Sequence, residues 1–600
     1  MPEELAVKHK LEKLRLATTY HNKWWNRFRC SESIKYYEGA QWAGYSTYFR
    51  TDYRPAVVNL VFSTIEVQLP SLLFSQPIFN VTAKKSLGDV ESTSRKTQLQ
   101  EAALNTFVTD QDNLFAEEIE DAIIDAYFAF GMLEVGFDAN YIINPNAAKP
   151  YVRKDGTLIQ DAEGKDIIQP DEIPEYEKVF VKRIHPAQFR VGGMDARYLE
   201  RCNWVAYYEY VDVLDLKANK ALKNVDKLTF TGSRSEEFDS AYETRSDELD
   251  KLCESGDVIK IWHYWDLRRR EFTLFSEIFP EDLLKNKFGA LPLFVLKFHN
   301  RRRGFYPIPP VSQWLNPQDD LNEANEQVRV HRKRSSRKYL FRKGSLDSDA
   351  ADKLMFGPDG TYEFTEQDPE TCAAQLPLGQ LDNSVNDSIV LSKDNFNVVS
   401  GTRSEARGEM DSTTATQATI ADERSRIRES KPKNQVAVWL NKIARAIMVR
   451  QQQLTLPFWI KVQNTPQESL LGNVQETKQY YEEISGLDIE DLDFEVAIKV
   501  TSMSPVDNQD AKNRFLEFMA IINNYPQIAL SPLLIREAAE RVGYNGNEKI
   551  IREFQDMALL SQIAAQDQMN AMAQRGTAKV TPNANEKINN QLQNQVGLPQ

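Results

Sequence analysis

The stretch GFYPIPPVSQWLNPQDDLNEANEQVRVHRKRSSRKYL, residues 304–340, decides the fold because a strand-rich chain becomes helical there. Ile308-Pro309-Pro310 ends the strand-rich part, and Asn316 followed by Pro317 suits an N-cap with proline at the first helical position. The pattern predicts one helix over Pro317–Leu340, roughly 24 residues and 36 Å long. Its acidic start and basic end both suit the helix dipole.

Downstream, the chain alternates short and long elements. Glycines and prolines over 341–382 predict a small compact segment, and a shorter helix follows over 383–399. The Gly/Ser/Thr-rich segment SGTRSEARGEMDSTTATQ, 400–417, predicts a loop. A long helix is expected from 418 to about 453, with a candidate kink at Pro432, before the chain returns to strands by 507. Residues 508–575 have a helical pattern, and the composition of 576–600 predicts disorder.

Upstream, the pattern predicts helices mixed with antiparallel strands. Residues 1–38, 59–69 and 101–130 have helical spacing, and the last of these leads through Gly131 into the strand MLEVGFD. Several later runs alternate like strands, and IKIWHYWDLRRREFTLF, residues 259–275, predicts a hairpin with an arginine-rich turn. The predicted fold class is therefore α+β.

Composition limits the class of protein. The 600 residues are too many for one ordinary core, so several subdomains are expected. The net charge of −14 argues against a tight DNA binder but not against a protein past which DNA slides. Four widely spaced cysteines predict free thiols in a reducing compartment. The charged N-terminus predicts no signal peptide, and no apolar run is long enough to span a bilayer, so no membrane is expected.

The sequence contains no recognisable catalytic motif. A GxxxxGK[ST] phosphate loop, HExxH, GxSxG and Cys/His ligand spacing are all absent. The six histidines are scattered and predict strand or surface positions. Carboxylates cluster over 117–121 and 488–493, where solvated faces are the favoured interpretation over a Mg²⁺ nuclease centre. We expect no enzyme activity, no cofactor and no metal.

Basic residues concentrate near the predicted helix. Lys297 to Lys343 holds twelve Lys/Arg and four Asp/Glu, a local net charge of +8 in an acidic chain. One interpretation is a solvated helix end that pairs with acidic neighbours. The other is a collar that contacts DNA phosphates without reading bases. The candidate residues in the second case are Arg329, Arg332, Lys333, Arg334, Arg337 and Lys338.

The order of these parts resembles the portal (head-to-tail connector) family of tailed bacteriophages, in a podovirus-like form. Four stretches are similar to portal elements: 54–85, an early helix before a proline-bounded strand; 121–138, a helix-glycine-strand element; 304–327, the entry to the first stem helix; and 413–427, the start of the helix after the tunnel loop. The resemblance covers roughly residues 20–510 and depends on the order of the motifs.

The resemblance implies a portal fold with an α/β wing, a helical stem, a small α/β clip, a tunnel loop and a helical crown. The implied parts are wing 1–310, stem helix 1 at 311–340, clip 341–382, stem helix 2 at 383–399, tunnel loop 400–417, long helix and return to the wing 418–507, crown 508–575 and tail 576–600. The loop would place Arg403 and Arg407 against DNA phosphates, with nearby acidic residues limiting adhesion.

The implied function is a ring of about twelve copies at one capsid vertex, with head-to-tail contacts between subunits. Such a ring would be the conduit for packaging and ejection of double-stranded DNA, and its mostly acidic channel would keep friction low. The implied partners are other copies of the chain, double-stranded DNA, the terminase large subunit, the major capsid protein and tail adaptor proteins, with a scaffolding protein as a further candidate. The implied location is the virion, after assembly in the host cytoplasm.

Two alternatives stay open from the sequence. The chain is either another structural ring or adaptor protein of the virion, or an enzyme of DNA packaging such as a terminase or nuclease. Length and the helix-insertion-helix order favour a portal over an adaptor, and the missing phosphate loop argues against an ATPase.

Overall fold

The computed structural model describes most of the chain before residue 499. The described residues are 3–42, 55–73, 77–83, 90–145, 147, 149–150, 171–193, 195–219, 221–227, 258–277, 279, 281–334, 339–341, 347–356, 373–375, 383–402, 415–463, 479–489, 494–498, 516, 517 and 520. Two units divide the chain, Met1–Met503 and Ser504–Gln600. In the second unit, residues 516, 517 and 520 are helical, and the rest of the predicted crown and tail lies outside the described residues.

Helices dominate the described residues before 129 and those between 315 and 451. Their bounds are α1 Glu3–Arg27, α2 Cys30–Tyr37, α3 Leu60–Leu72, α4 Val90–Thr109, α5 Phe115–Phe128, α6 Val213–Ala218, α7 Leu315–Arg334, α8 Ser348–Phe356, α9 Asn383–Ser400 and α10 Ala415–Gln451.

Every pairing among the described strands is antiparallel. The strands are β1 Phe79–Ala83, β2 Gly131–Ile143, β3 Glu172–Arg183, β4 Phe189–Gly192, β5 Trp204–Asp212, β6 Val258–Asp266, β7 Glu271–Ser276, β8 Leu284–Lys287, β9 Leu293–Leu296, β10 Tyr339–Phe341, β11 Ala373–Gln375, β12 Phe458–Gln463, β13 Gln479–Ile484 and β14 Phe494–Ile498. They form sheets ordered β4-β5-β6-β7-β8 and β3-β2-β9, with pairs β1-β14, β10-β11 and β12-β13. The α+β class and the predicted β6-β7 hairpin are confirmed.

The main core of the first unit packs α3, α5 and α10 against the β3-β2-β9 sheet. A second cluster is aromatic: Trp24 of α1 stacks on Tyr306 with ring centroids 4.6 Å apart, and its indole Nε1 donates to the Pro307 carbonyl at 2.8 Å. Cys30 and Cys202 are buried free thiols in this cluster, as predicted, and burial raises the pKa of Cys202 to about 11. The second cluster therefore fixes α1 against the stretch that leads into α7.

The apolar run after Asp121 is a buried helix that continues into a strand, as the sequence predicts. α5 ends at Phe128 and β2 begins at Gly131. A Cβ atom on Gly131 would lie 2.1 Å from the Ala122 carbonyl oxygen, so only glycine lets the strand pass so close to the helix. No helix among the described residues is long and apolar enough to cross a membrane.

Three helix predictions need correction at their ends. The helix expected over 317–340 begins at Leu315 and ends at Arg334, and residues 339–341 are a strand instead, because they pair with β11. Asn316 is not the N-cap, since the Trp314 carbonyl already accepts the amide of Gln318 at 3.1 Å. The helix expected over 1–38 divides at Arg29, whose φ of 51° is left-handed.

Two further expectations fail for local reasons. The helix expected over 101–130 is two helices, because the Asp110 side chain accepts the amide of Asp112 and Leu114 adopts a φ of 50°. The helix expected over 59–69 continues past Pro70 to Leu72. Proline keeps a helical φ there and costs one backbone hydrogen bond near a helix end.

Candidate functional site

A pair of antiparallel helices brackets the predicted insertion. α7 packs along α9, and Trp314, just before α7, has its ring 6.0 Å from that of Phe396 near the end of α9. At 20 and 18 residues, the two helices are about 30 Å and 27 Å long. The described part of the insertion contains α8 and the β10-β11 pair, which agrees with the expected small α/β segment.

A polar ladder on α7 holds an extended segment from the N-terminal part of the chain. Gln318, Asn322 and Glu326 are buried and lie four residues apart on one face of the helix. Their side-chain oxygens accept hydrogen bonds from the backbone amides of every second residue of the segment. The Leu60 amide donates to Gln318 at 3.0 Å, the Val58 amide to Asn322 at 3.2 Å and the Ala56 amide to Glu326 at 2.7 Å.

The ladder is also connected within itself. The Gln318 amide nitrogen donates to the Val58 carbonyl at 2.7 Å and to Asn322 Oδ1 at 3.1 Å, and the Asn322 amide nitrogen donates to Gln41 Oε1 at 2.5 Å. Residues 56–60 therefore pair with side chains of α7 almost as a strand pairs with its neighbour. This ladder was not among the predicted features, although the spacing of Gln318, Asn322 and Glu326 by four is visible in the sequence.

A second anchor joins the start of α7 to α2. Arg29 donates to Asn316 Oδ1 at 3.0 Å and to Asp319 at 3.2 Å, and the Tyr36 hydroxyl donates to Asp319. Burial and the hydrogen bond to Asp319 raise the pKa of Tyr36, so the hydroxyl stays a donor at neutral pH. The first two turns of α7 are thus fixed to the body of the first unit from two sides.

The predicted DNA-contact residues lie at the opposite end of α7. Arg329 is half-buried and 3.9 Å from Glu326, and Arg332 is exposed. Lys333 and Arg334 occupy the last helical positions. The remaining candidates, Arg337, Lys338, Arg403 and Arg407, lie outside the described residues. The structure therefore places four of the eight candidates on the last two turns of one helix.

The predicted loop after α9 starts from a fixed point. The Gln68 amide nitrogen of α3 donates to Thr402 Oγ1 at 2.6 Å, and Thr402 is buried. Gly401 has a φ of 76°, which turns the chain away from α9. Residues 403–414 lie outside the description, and α10 begins at Ala415. From Val436 onward, one face of α10 packs in the main core.

The carboxylate and histidine sites have structural roles. Asp125 forms a two-bond pair with Arg183 at 2.6 and 2.7 Å, and Asp121 lies 3.3 Å from the same guanidinium. The cluster over 117–121 is thus partly an ion-pair site rather than only a solvated face. His21 and His185 are in the aromatic cluster rather than in a strand or on the surface, and burial lowers the pKa of His185 to about 3.

A further polar group joins the two larger sheets. The Tyr207 hydroxyl donates to Glu134 at 2.6 Å, and His263 Nε2 lies 2.7 Å from Glu209. Burial raises the pKa of Glu134. For Glu209, burial acts in the same direction, but the hydrogen bonds and charges of His263 and Lys182 together outweigh it and lower the pKa to about 2. In the part of the chain that the structure describes, no group of three or more His, Cys, Asp or Glu side chains is arranged to hold a metal ion.

Comparison with known proteins gives a weak match among solved structures. No protein-family model matches the chain, and no curated protein matches it. Part of the chain matches a chain from a structure described as the virion of a native gene transfer agent particle, at 12% sequence identity. The match covers 40% of this chain and 72% of that chain, with a TM-score of 0.22.

Proposed function

We propose that the chain is a portal protein, one subunit of a ring through which double-stranded DNA enters and leaves a viral capsid. The observation that carries the proposal is the pair of antiparallel helices α7 and α9, bracketing a small α/β insertion and anchored at one end to an α+β body. Copies with such a pair can stand side by side around an axis, so that their helices line a pore.

The anchoring contacts hold α7 rigidly on the body of the subunit, as a helix that lines a DNA channel requires. The Arg29–Asp319 contact and the polar ladder hold α7 from Asp319 to Glu326, and the basic end begins within one further turn, at Arg329. In the proposed ring that end would contact DNA phosphates weakly and without reading bases. The predicted tunnel loop, 400–417, would follow the point that Gln68 fixes and bring Arg403 and Arg407 towards the DNA.

The proposed ring hydrolyses nothing. The terminase would bind the insertion and supply the ATP chemistry, and tail adaptor proteins would bind the same face afterwards. The major capsid protein would surround the ring, with a scaffolding protein as a further candidate partner. The location that follows from this proposal is a capsid vertex of the virion.

Electron microscopy of the purified full-length chain tests the proposal. We expect rings of about twelve subunits with an open central channel. A monomer, or a two-fold dimer without a channel, would refute it. ATP turnover by the pure chain in the presence of DNA is the complementary measurement, since robust hydrolysis would favour a packaging enzyme.

A further inference from the structure

An arginine-rich surface lies on the first unit, away from the basic end of α7. Three segments that are distant in sequence contribute to it: the end of α1, the loop before β5 and the loop after β9. Five of its six arginines are exposed and Arg301 is half-exposed. The surface consists of Arg27, Arg197, Arg201, Arg301, Arg302 and Arg303.

Aromatic rings hold four of these guanidinium groups. Arg197 and Arg201 lie 6.0 and 5.5 Å from the ring of Tyr198, which is 51% exposed. Arg27 and Arg301 lie 5.7 and 6.0 Å from the ring of Phe28. A cation–π contact restricts an arginine while leaving its N–H donors available to a further acceptor. The two rings thus hold guanidinium groups in place at the surface.

Buried contacts tie the loops of this surface together. The Lys297 amino group donates to the Phe305 carbonyl at 2.6 Å and to the Arg197 carbonyl at 3.3 Å, so it links the two arginine-bearing loops. Phe305 and Phe28 both pack in the aromatic cluster. The arginines therefore stand on a fixed base rather than on independent loops.

The surface is strongly positive in an acidic chain. Glu200, the acidic residue between Arg197 and Arg201, lies 3.7 Å from Lys442 of α10, which offsets its charge. Asp195 is a further acidic residue on these loops. Burial and the positive charge of Lys431 of α10 lower the pKa of His299, which lies in the loop that carries Arg301, so a further cation lies near this loop. Six arginines with so little opposing charge make an unusual feature in a chain of net charge −14.

We propose that this six-arginine surface binds the phosphate backbone of double-stranded DNA, as a second contact distinct from the basic end of α7. The proposal deepens the portal function and rests on it for the choice of polyanion. Arginine forks match phosphate oxygens in pairs, and backbone contacts of this kind are independent of sequence. Such a surface would hold DNA against the body of the subunit, at a place separate from the α7 residues proposed to contact DNA in the channel.

Binding of a labelled duplex of about 20 base pairs to the full-length protein tests the proposal. We expect R301Q/R302Q/R303Q to weaken binding at low salt by roughly tenfold or more and to reduce the slope of log affinity against log salt by about 2 to 3. R197Q/R201Q, on the other loop, should act in the same direction with a slope change of about 1 to 2.

The chain supplies its own matched control. Arg268, Arg269 and Arg270 form an exposed triple arginine in the β6-β7 turn, between Asp266 and Glu271. R268Q/R269Q/R270Q removes the same charge, and we expect it to change affinity less than twofold. Equal losses in the two triple variants, or no loss in R301Q/R302Q/R303Q, would overturn the proposal. Tighter binding of a poly-glutamate of matched charge than of DNA would overturn it in favour of an acidic protein partner.

Electron microscopy of the same samples separates this proposal from the portal function. Rings with unchanged DNA binding in the R301Q/R302Q/R303Q variant would remove the six-arginine surface and leave the portal proposal standing. If the wild type forms no rings and R301Q/R302Q/R303Q still weakens DNA binding, the portal proposal fails and the six-arginine surface stands. Circular dichroism of each variant identifies any loss of fold.

Discussion

Replacing Asn322 with alanine tests whether the polar ladder fixes α7. Asn322 is 3% exposed, and its side chain takes part in three hydrogen bonds, two of them with partners outside α7. It accepts the amide of Val58 at 3.2 Å, accepts from Gln318 at 3.1 Å and donates to Gln41 at 2.5 Å. Alanine keeps the helix and removes all three bonds.

The cost follows from the groups left without partners. A buried polar group that loses its hydrogen bond costs about 1–3 kcal/mol, and three groups are affected, although Gln318 keeps its bond to the Val58 carbonyl. Alanine also has the higher helix propensity, which offsets roughly 0.5 kcal/mol. We expect a net loss of about 2–3 kcal/mol in the free energy that keeps residues 56–60 on α7.

Hydrogen exchange read by mass spectrometry measures this local free energy. A loss of that size makes exchange of the amides in 55–60 about 30- to 150-fold faster. N325A is the matched control, because the Asn325 side chain bonds to the Leu321 carbonyl of its own helix at 2.8 Å. Equal acceleration in N322A and N325A, or unchanged exchange in N322A, would show that the ladder does not hold the segment.

Two further substitutions probe the core. G131A should destabilise the first unit by about 2–3 kcal/mol or more, because its Cβ would lie 2.1 Å from the Ala122 carbonyl oxygen. G289A is the control: a Cβ there has nothing within 4 Å, so the melting temperature should stay nearly unchanged. Equal melting temperatures of the two variants would contradict the close approach at Gly131. Burial lowers the pKa of Lys297 to about 7, so between about pH 7 and 10 the unfolded chain binds a proton that the folded chain has lost, and stability should rise with pH over that window. K297M removes this contribution, so the stability of the wild type minus that of K297M should increase from pH 7 to pH 9.5 in urea titrations; a constant difference would argue against a neutral Lys297.

Local patterns in the sequence account for most of the elements. Alternation and an arginine-rich turn predicted the β6-β7 hairpin, and helical spacing followed by Gly131 predicted the passage from α5 to β2. The errors lie at element ends and at two internal breaks, where a local hydrogen bond or a left-handed residue decides. Asn316 has the right neighbours for an N-cap, but the Trp314 carbonyl begins the helix earlier. A capping pattern does not show whether an earlier carbonyl already accepts a helical hydrogen bond.

The candidate site was predicted in outline and missed in detail. The order helix, insertion, helix follows from proline, glycine and helical spacing, and four of the eight DNA-contact candidates lie together because they share one helix end. Of the six-arginine surface, only Arg301–Arg303 lie in the basic stretch Lys297–Lys343 that the sequence marks out. Its other members come from segments about 100 and 270 residues away, and local spacing does not relate such segments.

By itself, the sequence determined the α+β class, the positions of the helices around the insertion and the absence of familiar catalytic motifs, because periodicity, turn residues and motif spacing act over a few residues. Tertiary structure decided which distant groups meet. Val58 reaches Asn322 across 264 positions, and Lys297 reaches the Arg197 carbonyl across 100. Such partners are chosen by the packing of whole elements around the core, since a buried amide or amino group must be satisfied by whichever acceptor that packing brings within reach.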